Sequence, residues 1–286
     1  MGNIGRFLQV KILQKSLIGH KEIKLLSYNV RIFNLYNWEK GGSKRDDILN
    51  YVIKEKCDIV CFQEFLTREN RPGQSLQNLE GKLAHLPYAH VHYMVRGKNL
   101  INYGIATYSK YPIVNKGVLK FGNSYNVCIY SDIIIERDTI RLFNVHLESI
   151  KFDYKDYCFI DSLSLEFNSK TFIEAKNISG RLMKAYNKRA HQVDQLDKLV
   201  KKSPYPVVIC GDFNDTPVSY TYHKARGDLD DAFMESGTGF GDTYRGSFPS
   251  FRIDFIFHAK EIKSANYQTH YVDYSDHYPI SCELEL

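Results

Sequence analysis

Apolar and polar positions along the chain follow two different periods, which predict strands and helices in alternation. Runs that are apolar throughout or at every second position predict strands, and apolar residues three and four apart predict helices. The predicted strands cover residues 24–30, 58–65, 88–94, 103–109, 126–135, 139–147, 207–210, 252–257 and 279–286. The predicted helices cover residues 43–56, 75–83, 181–202 and 218–226. This mixture predicts one α/β domain in which two sheets pack together and helices cover their outer faces.

The stretch PVVICGDFNDTP carries the most informative local pattern. Its apolar run from Val207 to Cys210 predicts a strand buried on both faces, and Gly211 allows the backbone to turn afterwards. A rigid strand would then deliver the next polar groups into an open loop, as a catalytic site requires. An ordinary polar turn closed by a proline is the alternative, and this stretch alone leaves both interpretations open. The polar groups concerned belong to Asp212, Asn214 and Asp215.

Three segments of the chain differ in character. Residues 1–21 form a lead-in segment to which the pattern assigns no function, and residues 22–286 form the domain. Residues 150–178 lack a clean period and are rich in aromatic side chains, which predicts an insertion within the domain. Because this insertion follows the strand predicted at 139–147, we expect it to be either a substrate-recognising flap or a small core of its own.

Composition narrows the class of protein without defining it. The 286 residues are 43% hydrophobic and 25% charged, which is ordinary for a soluble globular protein. The net charge of +5 allows an anionic substrate but does not require nucleic acid. The six cysteines show no C-x-x-C spacing and sit mostly in apolar runs, so free buried thiols are expected rather than zinc or disulfides. No apolar run is long enough for a membrane helix.

Polar residues recur at the ends of the predicted strands, where side chains can reach a shared cleft. Carboxylates and an amide oxygen among them are the hard ligands that Mg²⁺ prefers alongside substrate phosphate oxygens, and zinc-type spacing of Cys and His is lacking. A Mg²⁺-dependent phosphoesterase is the natural interpretation. Taken one at a time, each residue also has a plain structural interpretation, such as a strand cap, a core histidine or a surface ion pair. The strand-end residues are Asn29, Glu64, His146, Asp212, Asn214, Asp254, Asp276 and His277.

Several short motifs place these residues in a recognisable order. They are SYNVR around Asn29, CFQEF around Glu64, YGIATYSKYPI from Tyr103, NVHLES around His146, GDFNDTP around Asp212, RIDFIF around Asp254 and SDHYPI around Asp276. Each motif is weak alone, but the ordered set resembles the endonuclease/exonuclease/phosphatase superfamily over residues 22 to 286. The resemblance implies a deoxyribonuclease-I-like fold. This fold is a four-layer α/β sandwich of two packed mixed sheets flanked by helices, with the active site at one end of the sheets.

The resemblance also implies a role for each motif residue. Glu64, Asn29 and Asp276 would hold the metal, with Mg²⁺ expected and Mn²⁺ as the alternative ion. Asp212 would orient or deprotonate the attacking water, and Asn214 and His146 would contact phosphate oxygens. His277, oriented by Asp254, would either donate to the phosphate or serve as the base. Water would attack in line with the leaving group.

The substrate is left open by the sequence. A phosphorylated compound is expected, and nucleic acids, nucleotides, inositol phosphates and lipid head groups all fit the same chemistry. A catalytically inactive phosphate- or nucleic-acid-binding scaffold on the same fold is the alternative function. We expect a monomer without an obligate protein partner. The compartment is open, and the soluble chain is either a free protein or the soluble domain of a membrane-anchored bacterial protein.

Three smaller expectations concern charged and imidazole side chains away from these motifs. His90 and His92 share one face of a predicted strand and, lacking a nearby third ligand, are expected to be solvated edge residues. Glu148 lies on the same side of its strand as His146, and is expected to be its partner or a solvated charge. The basic cluster of Lys184, Lys188 and Arg189 is expected on a solvated helix face.

Overall fold

Two six-stranded sheets form the centre of the molecule. The computed structural model describes residues 3–9, 22–35, 43–97, 100–122, 124–150, 169–245 and 251–286. One sheet has the strand order β13-β14-β2-β3-β5-β4 and the other has β10-β12-β9-β8-β7-β6, while β1 and β11 form a separate pair. The strands are β1 (Leu8–Gln9), β2 (Glu22–Asn29), β3 (Ile59–Arg68), β4 (Tyr88–Arg96), β5 (Ile101–Ser109), β6 (Ile113–Lys120), β7 (Val127–Ile135), β8 (Asp138–His146), β9 (Val207–Asp212), β10 (Asp230–Asp231), β11 (Gly239–Phe240), β12 (Asp254–His258), β13 (Lys263–Thr269) and β14 (Ile280–Glu285).

Helices cover both outer faces of the paired sheets. They are α1 (Arg45–Glu55), α2 (Leu76–Lys82), α3 (Ser169–Val200), α4 (Tyr220–Arg226) and α5 (Ala232–Ser236) among the described residues. Apolar residues of α1 and α2 pack on one sheet, and those of α3 and α4 pack on the other. A third apolar cluster fills the space between the sheets. The molecule is therefore the predicted four-layer α/β sandwich, because each sheet buries one face against its partner and the other against helices.

The centre of each sheet is a parallel pair, and this arrangement defines one functional end. β2 pairs in parallel with β3, and β8 pairs in parallel with β9, whereas the remaining neighbours in both sheets are antiparallel. The carboxyl ends of two parallel strands lie at the same edge of a sheet. Polar residues that terminate these four strands are thus brought to one end of the sandwich.

The structure departs from the predicted elements mainly at sheet edges and helix ends. The edge strands β6 and β13 were not predicted, since their polar sequences lack a clear apolar alternation. Helix α3 begins at Ser169, so the last part of the predicted insertion 150–178 is helical, and residues 151–168 lie outside the described residues. Within the lead-in segment, Leu8 and Gln9 pair with β11, and residues 10–21 likewise lie outside the described part.

The cysteines match the expectation from composition as far as the structure describes them. The five described cysteines (Cys57, Cys61, Cys128, Cys210 and Cys282) are free and buried. Cys158 lies outside the described residues. None of the helices in the described part of the chain combines the length and the apolar character that a membrane span requires.

Candidate active site

The strand ends bring the predicted residues of both sheets together. Asn29 ends β2 beside Gln63 of β3, and His146 ends β8 beside Asp212 of β9. The adjacent antiparallel strand β12 begins with Asp254, which is also opposite Asp212. This register explains how residues that are far apart in the sequence lie side by side at one end of the sandwich.

Backbone features at two of these strands set the direction of the side chains. Gly211 has a φ angle of 138°, and a β-carbon there would collide with the carbonyl oxygen of Val145. Only glycine therefore allows β9 to approach β8 so closely just before Asp212. On β3, a bulge between Phe62 and Phe65 contains Glu64, which has a φ angle of 50°. Bulges re-aim side chains next to functional sites, and here Glu64 is directed toward His146.

Asp212 is the central carboxylate of the site and is 1% exposed. Its Oδ2 accepts hydrogen bonds from Asn29 Nδ2 at 2.9 Å and Asn214 Nδ2 at 3.1 Å, and its Oδ1 accepts one from the Asn214 backbone N–H at 2.8 Å. Burial raises the pKa of Asp212, and the nearby His277 opposes that shift. The hydrogen bonds fix the orientation of the carboxylate, because amide donors engage both of its oxygens.

The outer nitrogen of His146 approaches two carboxylates. Its Nε2 is buried, has no hydrogen-bond partner among the described residues, and lies 3.8 Å from Glu64 Oε1 and 3.7 Å from Asp212 Oδ2. Burial lowers the pKa of the His146 imidazole, which favours the neutral ring. A buried polar atom without a partner is costly, and at a functional site it indicates a group that a ligand completes.

His277 forms a buried ion pair with Asp254. Its Nδ1 is 2.9 Å from Asp254 Oδ2, and its Nε2 is 3.7 Å from Asp212 Oδ2. Burial alone would lower the pKa of the His277 imidazole, but the two aspartates outweigh burial and raise it to about 10. The ring is therefore protonated near neutral pH. The ring of Tyr244 packs edge-on against it, with the centroids 5.2 Å apart.

Asp276 lies at the rim of the site and pairs with a cation. Its Oδ2 is 3.1 Å from Arg31 Nε. Four consecutive residues from Arg31 to Asn34 have positive φ angles between 42° and 57°, a conformation that costs L-residues about 1–2 kcal/mol each. The backbone N–H of Arg31 donates to Asn29 Oδ1 at 3.0 Å. Strained backbone thus begins two residues after Asn29, one of the predicted metal ligands, as is common where a site dictates the local geometry.

The donor set of Glu64 and Asp276 fits a hard divalent cation. Burial, followed by the charge of Asp276, raises the pKa of Glu64 to about 7. A carboxylate whose charge is disfavoured in this way is stabilised by a bound cation. Asn29 can add its amide oxygen only through the lone pair that Arg31 does not use.

A second group, formed by Asp212, Asp254 and His277, has ligand atoms within 4.8 Å of one another. Within this group, His277 lies between the two aspartates and forms its closer ion pair with Asp254.

Two neighbouring charged residues that could have been solvated are buried. Glu148 is 4% exposed and accepts hydrogen bonds from Lys188 and Ser124 at 2.8 Å each. Its charge also raises the pKa of the His146 imidazole, so the expected partnership of the two residues is electrostatic. Arg189 does not lie on a solvated helix face, because its side chain is completely buried.

Gln63 and Tyr103 were not singled out by the sequence analysis as site residues. Gln63 lies between the sheets, where it donates to Asn144 Oδ1 at 2.7 Å. Burial, followed by the charges of Glu64 and Asp212, raises the pKa of the Tyr103 phenol. Its position in the motif YGIATYSKYPI was the only signal that could have identified it.

Fold and site together define a four-layer α/β sandwich with its polar residues gathered at one end of the paired sheets. The model of the Endonuclease/Exonuclease/phosphatase family matches residues 26–277. The chain belongs to this family. No curated protein shows significant sequence similarity to the chain.

Solved structures share the fold at low sequence identity. An endonuclease/exonuclease/phosphatase from Bacteroides vulgatus matches with a TM-score of 0.67 and 16% identity, covering 93% of this chain and 99% of that chain. TDP2 from D. rerio, complexed with a single-strand DNA product, matches with a TM-score of 0.62 and 15% identity, covering 93% of this chain and 99% of that chain. The mannosyl-6-phosphatase Bt3783 of Bacteroides thetaiotaomicron matches with a TM-score of 0.59 and 19% identity, covering 92% of this chain and 100% of that chain.

Proposed function

We propose that this protein is a divalent-metal-dependent phosphoesterase that hydrolyses phosphodiester or phosphomonoester bonds by in-line attack of water. The observation that carries the proposal is the surroundings of Asp212. This buried carboxylate is held by two amides and approached by one neutral and one protonated imidazole. Membership of the Endonuclease/Exonuclease/phosphatase family supports the same class of reaction.

Some of these residues act on the attacking water, and others stabilise charge on the phosphate oxygens. Asp212, oriented by Asn29 and Asn214, is placed to orient the attacking water and to accept its proton. The protonated His277 supplies positive charge for a phosphate oxygen, and Asp254 holds its ring in place. The unpaired Nε2 of His146 offers a further hydrogen bond to the charge that develops on the phosphate oxygens.

Glu64 and Asp276, with Asn29, are the residues that would hold Mg²⁺ or Mn²⁺. When bound, the ion supplies Lewis-acid stabilisation of phosphoryl and leaving-group oxygens. The fit rests on the hard oxygen donors and on the raised pKa of Glu64. The substrate class is not narrowed by the similar structures, since one is a sugar phosphatase by name and another holds a DNA product.

The test is hydrolysis of bis(p-nitrophenyl) phosphate and p-nitrophenyl phosphate with Mg²⁺, with Mn²⁺ and with EDTA. We expect turnover that EDTA abolishes and that falls about 10²–10⁴-fold in Asp212→Ala and His277→Ala. Glu64→Gln should raise the Mg²⁺ concentration needed for half-maximal rate. Asp194→Ala is the matched control, because this carboxylate only accepts a hydrogen bond from Tyr220 on the surface.

The ratio of diester to monoester turnover then assigns the bond that is cleaved. Wild-type rates equal to those of Asp212→Ala and His277→Ala on both substrates, with Mg²⁺ or Mn²⁺ present, would contradict the enzymatic proposal. That result would favour the inactive phosphate-binding scaffold.

A further inference from the structure

One buried arginine of helix α3 joins the two loops that carry the catalytic residues. The side chain of Arg189 is 0% exposed. Its Nε donates to Asp215 Oδ2 at 3.0 Å, and its Nη1 donates to the backbone carbonyl of Glu148 at 2.9 Å. Asp215 follows Asn214 directly, and Glu148 lies two residues after His146. A single guanidinium group therefore bridges the loop after β8 and the loop after β9.

The peptide groups of Glu148 are held from both sides by the same helix. While Arg189 donates to its carbonyl oxygen, Gln192 Oε1 accepts from its N–H at 2.9 Å. Lys188 Nζ adds an ion pair to Glu148 Oε1 at 2.8 Å. Three side chains on adjacent turns of α3 thus fix one residue of the loop, which leaves little freedom for its neighbours.

The loop after β9 is also fixed by hydrogen bonds, and these are made by Asp215. Asp215 Oδ2 also accepts a hydrogen bond from Thr221 Oγ1 at 2.8 Å, and Asp215 Oδ1 accepts one from the Thr216 N–H at 3.0 Å. Asn214 adopts a φ angle of 52°, which is uncommon for a residue with a side chain. The clamp on Asp215 is immediately next to this strained residue, so it helps to keep the Asn214 amide directed at Asp212.

The two loops also meet at Leu147, between His146 and Glu148. Its carbonyl oxygen accepts from Asn214 Nδ2 at 3.0 Å and from Asn126 Nδ2 at 2.8 Å, and its N–H donates to the carbonyl of Asp212 at 2.9 Å. A shift of either loop would therefore move both the imidazole and the amide that face Asp212. Small displacements of positioned groups cost large factors in rate.

We infer that Arg189, together with Gln192, is a positioning residue that holds His146 and Asn214 in register around Asp212. The expected loss of activity rests on the proposed phosphoesterase function, whereas the positions of His146 and Asn214 can be measured without turnover. Lysine cannot replace Arg189, since a single ammonium group lacks the planar fork that reaches both partners. The face of the guanidinium packs 4.7 Å from the Tyr186 ring, which further fixes its plane.

The test compares Arg189→Lys and Gln192→Leu with the wild type, using Lys198→Met as a control that removes an exposed charge from the same helix. At temperatures well below each unfolding transition, we expect kcat to fall about 10- to 100-fold with KM nearly unchanged. We also expect changed ¹⁵N shifts of the His146 ring and of the Asn214 amide. Added methylguanidinium should restore part of kcat in Arg189→Ala, which a purely structural role would not predict.

Several outcomes separate this inference from the proposed function. Wild-type His146 and Asn214 resonances and wild-type kcat in both variants would overturn it. If the wild-type protein has no phosphoesterase activity, the NMR comparison alone decides whether the loops are positioned by α3, and only the proposed function fails. If Arg189→Lys does not fold, Gln192→Leu decides, since it removes one acceptor and leaves the ion pair with Asp215 in place.

Discussion

The two ends of the space between the sheets differ sharply although the same four strands build both. Along each strand the inward-facing residues change from apolar to polar in the direction of the chain. The apolar end contains Ile23, Leu25, Ile59, Cys61, Ile140, Leu142, Val208 and Cys210. The polar end contains Ser27, Asn29, Gln63, Asn144, His146 and Asp212. One end is built for stability through apolar burial, and the other places polar groups where they can act on a ligand.

This contrast shows how a rigid site can tolerate costly groups. Buried carboxylates and imidazoles are unfavourable unless they are paired, and at the polar end only part of their bonding capacity is used. The adjacent apolar end supplies the free energy of folding that holds them in place. The boundary is the Gln63–Asn144 pair, in which Asn144 also donates to the Ala106 carbonyl at 2.9 Å.

The largest expected effect comes from neutralising the partner of His277. In Asp254→Asn the imidazolium loses the carboxylate that orients it, and we expect kcat/KM to fall about 10²–10⁴-fold. The matched control is Asp132→Asn, because Asp132 forms an equally buried pair with Arg141 at 2.6 and 2.8 Å far from the polar end. Steady-state kinetics should show the loss only in the first variant. Comparable losses of activity in both would mean that the effect is general destabilisation.

A cavity at the apolar end should lower the stability of the protein without lowering its activity. Leu142→Ala removes a fully buried side chain between the sheets, and we expect the free energy of unfolding to fall by about 2–5 kcal/mol. Below the unfolding transition, kcat should stay near the wild-type value, since Leu142 lies at the middle of β8, four residues before His146. Chemical denaturation and kinetics on the same preparation measure both quantities. A parallel loss of kcat would show that the two ends are not independent.

Acid should lower the free energy of unfolding because of His90. This residue of the edge strand β4 was expected to be solvated, but it is buried. Its Nδ1 is 3.0 Å from Ser131 Oγ on the opposite sheet, and burial lowers the pKa of its imidazole to about 4. Because the unfolded chain binds the proton near pH 6.5, stability is expected to fall by about 3 kcal/mol between pH 6.5 and 4. Urea unfolding across this range should show a shallower pH dependence in His90→Gln. Equal slopes in the two proteins would argue against His90.

Local patterns account for the parts of this architecture that the sequence could predict. The strand 207–210 and the strand ends at Asn29, His146 and Asp212 depend on residues adjacent in the chain. The edge strands β6 and β13 have one exposed side and few apolar residues, so no period distinguishes them from loops.

Burial of polar residues was the part that local patterns could not predict. Arg189 was expected in solvent and Gln63 was not singled out, yet both are fully buried. Their partners, Asp215, Glu148 and Asn144, are contributed by other elements of the fold.

The close passage of β8 and β9 at Gly211 limits how this family member can diverge. No side chain fits between the two backbones at that point. Neither evolution nor protein engineering can therefore replace Gly211, on which the position of Asp212 depends. Changes in substrate preference must therefore arise in the segments that surround the cleft, while the crossing of the two strands remains fixed.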